Sequence, residues 1–140
     1  MKSPLLLLLI VVLFCSMVQA GSTPQENAEQ LMSIYMKSFN EKNRALMDSV
    51  TIEPYTYHKC NTTQTLSHEQ IFQMALDSKQ TVPPHKITNA SENDEKNVMW
   101  FKIDWTMAHM LDFDVEAVLD NGTWKMKSQT LECKKSKPAA

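Results

Sequence analysis

Beyond residue 22 the apolar positions follow two periods, one near 3.6 over the first half and one of two over the last third. Ala28, Leu31, Met32, Tyr35 and Phe39 recur at helical spacing behind Thr23-Pro24-Gln25-Glu26. That tetrad is a helix start: Thr23 caps, Pro24 suits the first turn and Glu26 completes a capping box. Asn40-Glu41-Lys42-Asn43 breaks the stripe, and Leu46, Met47 and Val50 belong to a second, short helix over 44–49. Pro54 marks its exit, and residues 55–60 read as a strand. Ser67-His68-Glu69-Gln70 is a second capping box, opening a helix with Ile71, Phe72, Met74, Ala75 and Leu76. Pro83-Pro84 ends that segment, a strand over 85–90 follows, and residues 92–96 form a polar turn.

The last third reads as strands. Over 98–107 one face holds Met99, Phe101, Ile103, Trp105 and Met107, and the other holds Val98, Trp100, Lys102, Asp104 and Thr106. Leu111, Phe113, Val115, Ala117 and Leu119 then alternate with acidic residues. Asn121-Gly122 signals a two-residue type I′ hairpin turn. That turn sets Leu119 opposite Trp124, Ala117 opposite Met126 and Glu116 opposite Lys127. Helices first and an antiparallel sheet last imply an α+β domain with the helices packed on one sheet face.

The N-terminus changes the setting. Met1-Lys2, an apolar run over 5–14 and the short residues before Gly21 have the three-part form of a secretory signal peptide over 1–20. The apolar run is short of the roughly twenty residues that a membrane span needs. A mature single domain over 21–133 and a flexible basic tail over 134–140 are expected, in an extracellular protein with no membrane contact once the leader is removed.

Without Cys15, two cysteines remain, Cys60 and Cys133, and an oxidising compartment favours an internal bridge between them. Two buried thiols or pairing between chains are the alternatives. Three sequons, at Asn61, Asn89 and Asn121, mark N-glycosylation sites. Without Lys2, thirteen of the fourteen basic residues face sixteen acidic ones, and Arg44 is the only arginine. Nucleic acid, which asks for a basic patch, is excluded as a partner.

Three stretches carry a family resemblance: 35–43 (YMKSFNEKN), 68–71 (HEQI) and 119–126 (LDNGTWKM). In order and spacing they resemble the nuclear transport factor 2-like superfamily, which includes ketosteroid isomerases and polyketide-cyclase-like proteins. The resemblance implies a curved sheet closed by helices into a cone with an apolar pocket, often dimerising through the sheet. It places Tyr35 where the isomerases keep a hydrogen-bonding tyrosine. The carboxylate base of those enzymes falls on His58 or Lys59, and their protonated acid falls near Val115.

Two of the three isomerase groups are therefore replaced. Tyr35 and His58 remain as candidate catalytic residues, Tyr35 stabilising developing charge and His58 titrating near neutrality. Met32, Tyr35, Met74, Met99 and Met126 are expected to line the pocket, methionine being adaptable to varied apolar ligands. His58, His68, His85 and His109 are scattered without metal-ligand spacing, and Asp112, Asp114 and Glu116 read as a solvated face, so neither metal nor cofactor is expected. Trp100 marks a homodimer contact or lies under a helix. The sequence thus reads as a secreted, non-catalytic binding protein for a small apolar ligand or a protein partner on the sheet. An isomerase-, dehydratase- or cyclase-type enzyme using the same pocket is the alternative.

Overall fold

The computed structural model describes residues 22–105, 112–131 and Cys133. The expected leader over 1–20 and basic tail over 134–140, together with Met107, His109 and Leu111, lie outside the described residues. Helix α1 spans Pro24–Glu41, α2 Arg44–Ser49 and α3 His68–Asp77. The strands are β1 Thr51–Lys59, β2 Thr62–Leu66, β3 His85–Glu92, β4 Val98–Trp105, β5 Phe113–Asp120 and β6 Thr123–Leu131.

Thr23 and Ser67 cap their helices as read, but only the Ser67 box is reciprocal. Thr23 Oγ1 accepts from Glu26 N at 3.2 Å. The Ser67 box is reciprocal, Gln70 N donating to Ser67 Oγ and Ser67 N to Gln70 Oε1. Asn43 caps α2 by accepting from Leu46 N. At the end of α1, Lys42 takes a left-handed φ of 54°. Its ammonium donates to the carbonyls of Ala75 and Ser78, tying α1 to the electronegative C-terminus of α3.

All six strands form one sheet in the order β2-β1-β6-β5-β4-β3. Neighbours pair antiparallel except β1 and β6, which run parallel, a departure from the wholly antiparallel sheet expected. β1 also begins earlier than expected. Pro54 lies inside it, where the pairing with β6 is irregular between Thr51 and Thr56, and proline has no N–H to give a ladder. Strand β2 has no apolar alternation, its Thr-Thr-Gln-Thr run being exposed, and hydropathy could not reveal it. The Asn121-Gly122 turn forms with positive φ at both residues.

Register from that turn holds for Leu119 opposite Trp124 and Ala117 opposite Met126. A bulge then inserts Lys127, and Glu116 faces Ser128 instead of Lys127. The expected ion pair survives the slip, Lys127 Nζ lying 3.3 Å from Glu116 Oε1.

The inner sheet face and α1–α3 enclose the core, in which Met32, Met47, Met99, Ile103, Val115 and Met126 are the largest fully buried apolar side chains. The bridge between Cys60 and Cys133 forms, with Cα atoms 5.1 Å apart, and fastens the end of β1 to the chain beyond β6. No described helix is long and apolar enough to cross a membrane.

Candidate functional site

The inner face and the end of α1 surround a cavity of about 210 Å³. Met32, Tyr35 and Phe39 face it from α1, Ile103 and Trp105 from β4, Met126 and Gln129 from β6. Ser78 and the run from Gln80 to Pro83 form its rim. Trp105 contacts two rings, Phe113 edge-on at 6.0 Å and His85 tilted at 5.5 Å.

Tyr35 and Gln129 bring polar groups to the wall, and Ser78, Gln80 and Thr81 bring polar side chains to the rim. Tyr55 Oη donates to Gln129 Oε1 at 2.9 Å. That leaves the Gln129 amide as a donor in the cavity wall. The indole Nε1 of Trp105 is buried and has no hydrogen-bond partner among the described residues. Burial pushes the Tyr35 phenol up to about 12. Tyr55 rises well above its ordinary range, first through burial and then through the neighbouring Tyr35 and Tyr57. These phenols stay protonated at physiological pH and act as donors. Among the described residues no Asp, Glu, His, Lys or Arg lines the cavity.

Three of the expected pocket residues, Met32, Tyr35 and Met126, meet here. Met99 is fully buried in the core but is not a wall of the cavity. Met74 is a correction: it is 52 % exposed, because α3 turns Ile71 and Ala75 inward, a spacing of four that leaves Met74 on the solvent side. His58 is the other correction. On β1, Tyr57 lies beside Gln129 and His58 beside Thr130. Gln129 faces the cavity, whereas Thr130 lines a groove on the opposite face of the sheet. His58 there meets Thr63 Oγ1 at 2.9 Å. A Tyr35–His58 acid–base pair is thereby ruled out.

Trp105 and Gln129 were missed as site residues. Trp105 was legible as an inward position at the end of its strand. Gln129 was not, since uninterrupted alternation from Met126 turns it outward and only the Lys127 bulge returns it.

No family model matches the chain, and no curated protein matches it. Solved structures do. An NTF-2 like protein of unknown function from Silicibacter pomeroyi superposes with a TM-score of 0.59 at 16% identity, over 74% of this chain and 90% of that one. Another of the same description from Shewanella oneidensis gives 0.59 at 8% identity, over 79% and 100%. An NTF2-like protein from Cytophaga hutchinsonii gives 0.57 at 9% identity, over 80% and 99%. The chain has the nuclear transport factor 2-like fold. Within the NTF2-like cone, the cavity described above lies between the first helix and the inner sheet face.

Proposed function

We propose that this NTF2-like domain is an exported, non-catalytic carrier for a compact, largely apolar ligand bearing a neutral hydrogen-bond acceptor, such as a carbonyl or ether oxygen. One observation carries the reading: a cavity walled by Met32, Phe39, Ile103, Trp105 and Met126, with the Tyr35 phenol and the Gln129 amide as the polar groups of its wall and, among the described residues, no carboxylate or imidazole in its lining. An acceptor atom would pair with the Tyr35 hydroxyl or the Gln129 amide, a hydrogen bond worth about 0.5–1.5 kcal/mol. Size sets the class, since a dry cavity of about 150 Å³ holds benzene. A cavity of about 210 Å³ suits one ring with substituents or two small fused rings. Export is supported by the leader pattern, the Cys60–Cys133 bridge and three exposed sequons.

The test is a titration of protein secreted from animal cells with one- and two-ring ketones, ethers and matched hydrocarbons, followed by calorimetry. Ketones should bind more tightly than the hydrocarbons. Tyr35→Phe, which keeps the ring and removes the hydroxyl, should remove that preference, a loss of about tenfold for one hydrogen bond. Val82→Trp at the rim should abolish binding of both classes. Binding that ignores Val82→Trp, or no saturable binding in either series, would sink the proposal.

A further inference from the structure

The outer face of the sheet, away from the cavity, carries a groove of about 300 Å³. Trp100, Lys102, Asp114 and Glu116 line it, and so does Asn89, from the edge strand β3. Trp100 is 43 % exposed and its Nε1 donates to Glu116 Oε2 at 3.3 Å, so the indole is pinned across β4 toward β5. Lys102 and Asp114 pair at 3.8 Å beside it. Asn89 sits in a bulge where pairing to β4 skips from Thr88–Lys102 to Ser91–Trp100, with a left-handed φ of 54° that asparagine tolerates. It is exposed and begins the sequon Asn89-Ala90-Ser91. Asn61 and Asn121 occupy the turns that end β1 and β5, whereas Asn89 alone of the three lies within a strand.

We infer that Asn89 carries an N-linked oligosaccharide whose first sugar lies in this groove against Trp100, so that the chain's own carbohydrate covers the outer sheet face. The inference rests on the export reading. The chemistry is transfer from a lipid-linked oligosaccharide pyrophosphate: the Asn89 amide nitrogen bonds to the sugar's anomeric carbon and loses a proton. The bond from that carbon to the pyrophosphate oxygen breaks, and the lipid pyrophosphate leaves with the electron pair. A hexosamine ring has an apolar C–H face, which suits the open face of an indole, and a rim of hydroxyls. Lys102, Asp114 and Glu116 supply a cation and two carboxylates within reach of that rim. A large exposed aromatic on an open sheet face is an association hazard, and a tethered sugar removes it without a partner protein.

The full chain, Asn89→Gln and Ser91→Ala would be secreted from animal cells, mapped by glycopeptide mass spectrometry and titrated with acrylamide as a quencher of tryptophan fluorescence. Ser91→Ala keeps the Asn89 side chain and removes only the acceptor sequon. Sugar on Asn89 is expected, with a higher quenching constant in both variants than in the parent. The difference should vanish in a Trp100→Phe background. Secreted protein with an unmodified Asn89 would overturn this inference and leave the export reading standing. Occupied Asn89 with equal quenching would overturn the placement over Trp100. Retention of the chain in the cell with its leader uncleaved would overturn export itself, and this inference with it.

Discussion

Tyr55 and Gln129, 74 residues apart in sequence, are joined by a hydrogen bond of 2.9 Å that runs from β1 to β6. It decides which end of the Gln129 amide reaches the cavity. The carbonyl oxygen is engaged by the phenol, and the NH₂ is presented to whatever the cone holds. Gln129→Leu leaves the buried Tyr55 hydroxyl without its acceptor and should cost about 1–3 kcal/mol. Tyr55→Phe with Gln129→Leu should cost less than the sum of the two single changes, because both partners then leave together. Urea unfolding of the three variants measures this. Additive losses would mean that the two side chains do not act as a pair.

The methionines separate by position. Met126 is fully buried and walls the cavity, and Met126→Ala should destabilise the domain by about 2–5 kcal/mol. Met74 is on the solvent side of α3, and Met74→Ala should stay within about 0.5 kcal/mol of the parent. Comparable losses at both positions in chemical denaturation would contradict the orientation of α3.

The Cys60–Cys133 bridge closes a loop with a sequence separation of 73. Constraint of the unfolded chain by so long a loop is worth about 4 kcal/mol. Cys60→Ser with Cys133→Ser, or reduction of the parent, should lower the unfolding midpoint by a matching amount. The double variant should also become insensitive to reductant, which thermal melts with and without dithiothreitol would record.

Alkaline stability follows from the buried phenols. Tyr35 has an ordinary value of 10.0 and is raised to about 12 by burial. The folded state therefore holds its proton through a range where the unfolded chain has lost it. Its contribution is complete below about pH 10 and is lost as pH climbs toward about 12. Midpoints measured from pH 8 to 12 should fall over that window, and Tyr35→Phe should flatten part of the fall. A Tyr35→Phe variant with the parent's full pH dependence would show that the phenol is not buried in the fold.

What the sequence exposed and what it concealed share one cause. Local signals were legible: the Thr23 cap, the Ser67–Gln70 box, the positive-φ pair at Asn121 and Gly122, and the alternation of β4 and β5 each act over a few residues. Their order implied an α+β domain with helices on one sheet face, and the cone came from the family resemblance. Strand β2 stayed hidden because an exposed polar edge strand has no hydropathic period, its place being fixed by pairing with β1. Met74 was assigned to the cavity because a short helix with apolar residues on most sides does not declare which side faces inward; packing on β1 decides. His58 could be weighed only by strand parity, which shows that its face differs from that of Tyr55 and Tyr57 but not which face is interior. Gln129 depended on one inserted residue in a neighbouring register, a tertiary event with no local mark.

The position of β6 has a consequence for assembly. The strand made last sits third of six, between β1 and β5. Until a ribosome has finished residue 131, a β1–β2 hairpin and a β3–β5 meander have no shared edge, and α1 has no complete floor to rest on. Completion of this domain must therefore follow synthesis of nearly its whole length, and its two halves depend on a keystone delivered at the end.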